Sequence, residues 1–554
     1  MPARTGWVKR PYSTKGLDPL GVQAPCINLY GQLLPGITNV TDRARYYSFY
    51  PWMVWAFDQV PGNKSRRDLI RWVRRADCLF TLIGIRHLMK SNDDNSLKHD
   101  SRLVGSQTLR PALASLKSGD RLDLSKYTAL GDDNPHRYFK NRLGGLGQYY
   151  IGTLDSVGLM GRGGGGVGYT EPKGREMAEA FDSAVDRDAF VEAAQSDVVS
   201  VDQLDKLSAF CPCKLVSSVL ELEMLLDFFF DRKGEHGDVG LQRKHSLGLL
   251  LDLVRCLEEG TNGGGVSFDD GLFRACVYTA SLPAGEDWDL PPKLRRTLDG
   301  WAVYQRNELL SVAMQSIFWV ALRALEDSVT HPSTVEDFVR WFGSTKWVEG
   351  AVSELQVNTF DEALAQKRSE LPDISAWNSP EHEISMAREV QGLYRRDGEH
   401  EVRVEVLKLA SHIVLSLLAR DDVGRAPYDP MTFSDDYFVF YPVNLKSLRV
   451  TAAGKWQGMK LADWYGWLAG YWGIETHLRV ALRKLHHQSQ DTFHVRPTDQ
   501  GLQVEHLPDP TYTSPRFSTT LQILHDLGAI DRWDGGERVH LTVLGEELRR
   551  FALE

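Results

Sequence analysis

Two distant stretches of this 554-residue chain share one order of features, and that order restricts what either can become. Residues 158–181 read GLMGRGGGGVGYTEPKGREMAEAF, and residues 521–551 read LQILHDLGAIDRWDGGERVHLTVLGEELRRF. In each, a helix ends in Leu or Val and then Gly (Gly158, Gly528). A short apolar strand follows (Leu159-Met160, Ala529-Ile530), then a Gly-containing tip and a second strand ending in Thr (Thr170, Thr542). A further glycine (Gly174, Gly545) opens an amphipathic helix carrying Phe181 or Phe551. Glycine at the tip permits the positive φ of tight hairpins. The expected unit is helix–hairpin–helix, twice.

The first copy also contains Gly161-x-Gly163-x-x-Gly166, the spacing of a dinucleotide-binding loop. That motif needs a hydrophobic strand before it and a helix directly after it. Here a helix ending in LDSVGLM precedes, and Glu171-Pro172 follows the second strand. No GxxxxGK[ST] occurs anywhere, so no nucleotide cofactor is expected.

The chain is too long for one core, so several domains are expected. Apolar content of 42% and charged content of 25% fit a soluble globular protein. The net charge of -10 excludes a protein wholly devoted to nucleic acid, which leaves DNA contact to local basic patches. Six cysteines are too few for a disulfide framework, and the N-terminus lacks the apolar run of a signal peptide. The expected location is the cytoplasm. The longest apolar run, 309–325, is interrupted by Gln315, Ser316 and Arg323 and reads as a buried helix, with no membrane partner.

Helical periodicity dominates the remainder. Pro35-Gly36 marks a turn, Thr41 caps a helix from Asp42, and Pro51 should kink or end it. Tyr46, Tyr47, Phe49, Trp52 and Trp55 surround that helix and imply burial. Arg43 and Arg45 sit at its start, where the helix dipole disfavours cations. Two readings are open for them: an anion or partner contact, or a buried carboxylate pair. Ser65 caps the next helix, in which Arg66, Arg67, Arg71, Arg74 and Arg75 crowd the side away from Leu69, Trp72, Val73, Leu79, Leu82 and Ile83. That basic face is either solvated or phosphate-binding. Asn134-Pro135 should start a helix over 135–157 that leads into the first hairpin. Residues 426–445 read as a loop with extended structure.

Five regions follow: an N-terminal helical domain (1–120), a first hairpin unit (121–185), a central helical domain (186–345), a helical segment with an extended loop (346–450) and a closing hairpin unit (451–554). The search for catalytic chemistry is negative. Cys211-Pro-Cys213 has no second cysteine pair, so packing is expected and no metal. His486, His487 and His494 read as surface histidines near a helix carrying Arg479, Arg483 and Lys484. Glu405 and Lys408, downstream of Asp397, have the wrong spacing for a nuclease strand and lie in helical sequence.

Both hairpin stretches resemble the helix–hairpin–helix half of a winged-helix domain. In that fold the helix before the wing reads the duplex, and the wing can lie on the phosphate backbone. The resemblance implies a mainly α, multidomain helical protein with two winged-helix (α+β) units. It assigns phosphate contact to Arg137, Lys140, Arg142 and Arg162. The second unit carries Arg516, Arg532 and Arg538 among Asp526, Asp531, Asp534 and Glu537, and suits protein contact better. The motifs LPGITNVTDRARYYSFYPW, FCPCKL and WAVYQRNELL, with the closing winged helix, resemble large bacterial proteins found near phage-defence genes. Two winged helices around a helical middle are also similar to kleisin subunits of chromosome-organising ATPases. These resemblances imply a non-catalytic DNA-binding or assembly subunit of a defence complex, with other protein subunits, a separate ATPase and double-stranded DNA as partners. The alternative is a nuclease or other effector whose site is assembled from dispersed residues.

Overall fold

The computed structural model describes residues 12–14, 16–62, 64–91, 95–117, 119–131, 134–163, 166–259, 265–396, 400–421 and 440–554. Helix outweighs strand, 63% against 7%, so the cores are built by packing helices. The chain forms two compact units, each gathered from distant segments: Met1–Tyr30, Arg274–Asp289 and Leu298–Thr513 in one, Gly31–Phe273, Leu290–Thr297 and Ser514–Glu554 in the other. The five regions read from the sequence are therefore distributed over two units, with 1–120 divided after Tyr30 and 451–554 after Thr513.

The first unit contains most of the helix Pro292–Glu326, whose most apolar window is 94% buried. Residues 309–325 are thus a core helix, as their interrupting polar residues implied. Glu383 is fully buried, and its carboxylate accepts from the Arg420 guanidinium and the Tyr278 hydroxyl. Glu405 and Lys408 lie on the helix His400–Asp421, where Lys408 pairs with Glu405 and, at 2.8 Å, with Glu354. Asp397 and most of the 426–445 loop lie outside the described residues. His486 and His487 are exposed, but His494 is buried: its backbone N–H donates to His477 Nε2 at 2.9 Å. On the helix Thr476–Gln488, Arg479 pairs with Glu475, Arg483 donates to the Phe440 carbonyl and Lys484 to those of Leu17 and Asp18.

The second unit is organised around α1 (Tyr46–Gln59) and α2 (Arg66–Lys90). The α1 aromatics Tyr46, Tyr47, Phe49 and Trp52 are fully buried. The helix starts at Tyr46 rather than Asp42, and Thr41 does not cap it, because the backbone donors such a cap would engage are taken by other acceptors. Arg43 N–H donates to Tyr150 Oη and Ala44 N–H to Asp526 Oδ2, while Thr41 Oγ1 accepts from Thr38 N–H. Pro51 remains inside α1 without ending it. Burial around the whole helix offsets the one backbone hydrogen bond that proline removes.

The helix expected over 135–157 forms only from Leu146, as a π turn to Tyr150 followed by α3 (Ile151–Ser156). Upstream, the carbonyls of Phe139 and Asn141 accept from the buried Arg74 guanidinium, and the Gly145 N–H donates to Asp77. Those tertiary partners replace the intrahelical bonds that Asn134-Pro135 suggested.

Both hairpins are present. In the first, β1 (Met160–Gly163) pairs antiparallel with β2 (Gly166–Tyr169), and α4 (Lys173–Asp182) follows. The closing copy comes after α5 (Val219–Phe230), α6 (Gly237–Glu258) and β3 (Val266–Ser267). It consists of α7 (Phe517–Asp526), β4 (Ile530–Trp533), β5 (Arg538–Leu541) and α8 (Val543–Leu553). Here β5 also pairs with β3, which makes three strands.

The two copies agree bond by bond. Gly158 and Gly528 have φ of +73° and +75°. Leu159 N–H donates to the Leu154 carbonyl, and Ala529 N–H to that of Leu524, each at 2.9 Å. The Thr170 hydroxyl donates to the Gly158 carbonyl and accepts from Gly174 N–H; the Thr542 hydroxyl does the same with Gly528 and Gly545. A Cβ on Gly174 would lie 2.1 Å from the Leu159 carbonyl oxygen, and one on Gly545 2.0 Å from that of Ala529. The Gly–Thr–Gly order of the sequence is thus one backbone device used twice.

Candidate nucleic-acid interface

α2 begins with a reciprocal cap: Ser65 Oγ accepts from Asp68 N–H, and Asp68 accepts from Ser65 N–H. The carboxyl so engaged titrates below its usual range because of the Ser65 hydroxyl and backbone donors. The helix starts on the surface and enters the core after about two turns, since every residue from Trp72 to Ile85 is buried. The five arginines therefore separate into two groups.

Arg66, Arg67 and Arg71 are exposed. Arg74 and Arg75 are only 1% and 4% exposed. Arg74 donates to the carbonyls of Thr128 and Asn141 at 2.6 and 2.5 Å and lies over the Tyr138 ring. It folds the 128–141 segment against α2. Arg75 donates to the carbonyls of Gln195 and Ser196 and pairs with Asp197. That pair and Arg71 hold the Asp197 carboxyl below its ordinary value. The expectation that Arg74 and Arg75 share the open face is corrected by their burial: their planar forks satisfy backbone carbonyls that helix geometry cannot.

Next to Arg74, Asp77 accepts from Tyr50 Oη, Tyr138 Oη and Gly145 N–H, each at 2.9 Å. Burial pushes its carboxyl up to about 6 despite these donors. Arg74 and Asp77 together fix the loop that presents Arg142.

Three segments converge on the exposed arginines. Arg66 from α2, Arg142 from the loop and Arg162 from β1 line a groove of about 490 Å³, floored by Leu69, Ile70 and Val167. Arg142 also lines a neighbouring groove of about 860 Å³ with Arg67, Arg71, Arg74 and Arg75. Asp68 and Asp197 are the acids there, the first engaged as a cap and the second in ion pairs. The structure thus joins Arg142 and Arg162, read from the hairpin unit, to Arg66, Arg67 and Arg71, read from a different helix. Arg137 and Lys140 share the loop but line neither groove; Arg137 donates to the Gly131 carbonyl at 3.4 Å, and Lys140 is exposed.

Arg516, Arg532 and Arg538 of the closing unit are each held by acceptors of the chain; Arg532 is buried, Arg516 half-buried and Arg538 exposed. Arg516 donates to the Leu34 carbonyl, Arg532 to Gln522 and the Gly536 carbonyl, and Arg538 to the Gly265 carbonyl. Arg43 and Arg45 are both fully buried. Arg43 pairs with Asp526 and Arg45 with Glu221, each at 2.9 Å, so the carboxylate-pair alternative describes their geometry.

The expectation that Cys211 and Cys213 are packing residues without a second ligand pair is corrected by the fold, which supplies one. His87 and His99 converge on them, with all four donor atoms within 4.8 Å of one another. The spacing of these histidines matches no sequence signature, and His99 lies 112 residues from Cys211. A cysteine pair around a proline is the one local signal of this cluster. Burial pushes the Cys211 thiol up, while a hydrogen bond from Cys211 and the adjoining imidazoles hold Cys213 well below the usual thiol range.

No protein-family model, curated protein or solved structure matches this chain.

Proposed function

We propose that this protein binds double-stranded DNA through the basic grooves beside its first hairpin, as a non-catalytic subunit of a bacterial anti-phage complex. Both helix–hairpin–helix units are read as winged-helix modules, the first engaging phosphate and the second serving the protein's own core. The observation that carries the reading is the convergence of Arg66, Arg67, Arg71, Arg142 and Arg162 on two adjoining grooves that share Arg142. Exposed guanidinium groups on a hairpin and a neighbouring helix start suit the regularly spaced phosphates of a duplex. The grooves' two acids, Asp68 and Asp197, are engaged in a helix cap and in arginine pairs, which favours binding over hydrolysis. The defence setting and a separate ATPase chain rest on the sequence resemblances alone.

The test is duplex affinity as a function of salt. Removing one arginine that neutralises a phosphate should lower the slope of log K against log salt by about 0.9. Arg142→Ala should weaken binding more than Lys140→Ala, with sequence preference unchanged. Absence of duplex affinity, or affinity unmoved by joint replacement of the five arginines, would overturn the reading.

An assembly role is favoured by a different feature. Val219 and Leu220 are 71% and 60% exposed at the start of α5, and Leu220 lines a groove of about 580 Å³ whose acids Glu223 and Asp227 pair with Arg232 and Lys233. An apolar rim on a groove of mixed charge suits an amphipathic segment of a partner subunit.

A further inference from the structure

We propose that His87, His99, Cys211 and Cys213 bind one Zn²⁺ ion as a closed structural site. His87 lies in the last turn of α2, His99 in the loop beyond it, Cys211 between the turns Ser208–Phe210 and Pro212–Ser217, and Cys213 within the second of them. The Nδ1 atoms of the histidines are 3.1 Å apart; His99 Nδ1 is 3.3 Å from Cys211 Sγ, and His87 Nδ1 is 3.3 Å from Cys213 Sγ. A zinc tetrahedron with Zn–N of about 2.0–2.1 Å and Zn–S of about 2.3 Å has edges of roughly 3.3–3.8 Å. The three short edges are already within a few tenths of an ångström of that range, and all four atoms lie within 4.8 Å of one another.

The polar geometry also asks for a common partner. Two nitrogens facing each other at 3.1 Å can share one proton between them, and a metal satisfies both lone pairs at once. Binding replaces two S–H bonds with two Zn–S bonds and releases two protons, and two thiolates balance the charge of the ion. That balance matters because His99 and Cys211 are buried. A two-sulfur, two-nitrogen tetrahedral set selects zinc over the hard, oxygen-seeking cations. Four protein ligands fill the coordination shell, so the site holds structure rather than substrate.

The backbone that carries the ligands is fixed independently of them. Arg43 donates to the carbonyls of Lys98 and Ser101, on either side of His99, at 3.0 and 2.9 Å. Arg45 donates to the carbonyls of Ala209 and Cys211 at 2.7 and 2.5 Å. The two neighbouring arginines thus hold the two halves of the site, anchored themselves by Asp526 and Glu221. Such outer-shell support is what a preorganised metal site requires. The ion would tie the end of α2 to the turn that leads into α5.

The test uses the full chain, reduced and purified without a polyhistidine tag, and requires no DNA. Elemental analysis should find one zinc per chain. After chelation, Co²⁺ added to the wild-type protein should give the intense d–d bands of a tetrahedral site and a thiolate charge-transfer band. Cys213→Ser should weaken metal binding by more than the roughly 10- to 100-fold typical of losing an outer-shell partner, while Cys213→His, which keeps a ligand there, should retain the ion. A wild-type chain that lacks zinc and takes up neither metal would overturn the proposal. So would iron or copper as the native metal, or a Cys211–Cys213 disulfide in its place.

Discussion

The two hairpins share a backbone device and differ in what surrounds it. In the first, β1 and β2 form a two-stranded ribbon, with Arg162 exposed and Gly161 and Gly168 bordered by open space. In the second, β5 has a further strand on its outer edge, Ile530 and Val539 are fully buried, and Arg532 is 7% exposed. Asp526, at the end of α7, accepts from Arg43 beneath α1. One copy is therefore an open two-stranded ribbon, and the other is built into a three-stranded sheet with Arg532 buried and Arg538 at its exposed edge. The lesson is that a local motif fixes a local shape, while its role depends on which of its faces the rest of the chain covers.

The largest effect should come from breaking the second copy's anchor. Arg43→Ala strands a buried carboxylate on Asp526 and should cost about 3–5 kcal/mol, read as a large fall in melting temperature. Arg142→Ala, on the first copy's groove, should stay within about 0.5 kcal/mol. Equal melting of the two variants would remove the distinction between the two copies.

The two regions should also respond to pH with opposite sign. Asp77, which holds the loop before the first hairpin, has its carboxyl raised from 3.8 to about 6 by burial. The folded state then binds the extra proton, so this contribution is complete below pH 3.8 and is lost as pH rises through 6. It amounts to about 3 kcal/mol at most. His525, just before the second hairpin, is lowered by burial, and its Nδ1–H donates to the Ile530 carbonyl. Its contribution is present above pH 6.5 and falls as the solution is acidified below that value. Hydrogen exchange measured from about pH 4 to about pH 7 should show protection near Gly145 falling and protection near Ile530 rising. Asp77→Asn should flatten the first trend alone.

Gly174→Ala and Gly545→Ala test the shared device directly, since the added methyl groups meet a carbonyl oxygen at 2.1 and 2.0 Å. Each should cost about 1–3 kcal/mol, with the Gly545 change lowering the melting temperature further because its hairpin is built into a three-stranded sheet. If either is neutral, the two turns are not equivalent. The smallest effect belongs to Gly161→Ala and Gly168→Ala, where a methyl group meets nothing within 4 Å. Each should remain within about 0.5 kcal/mol by thermal melting.

What was legible in the sequence had local causes. The Ser65 cap needed a carboxylate three residues on, and the hairpins needed Gly, Thr and Gly within one short window. The buried aromatic helix announced itself because its ring-bearing residues left no polar face. The start of α1, the fate of Asn134-Pro135 and the separation of five arginines into two groups had no local signal. In each case a backbone group found a better partner from far away: Ala44 N–H in Asp526, and the carbonyls of Thr128 and Asn141 in Arg74.

The sequence by itself determined that this chain is mainly helical and carries the same helix–hairpin–helix device twice, because hydrogen bonds between near neighbours specify those features. Tertiary structure alone decided which arginines face solvent and which hold carbonyls, and it brought His87 and His99 to Cys211 and Cys213. Those last partners lie more than a hundred residues apart, where no periodicity or spacing links one to the other.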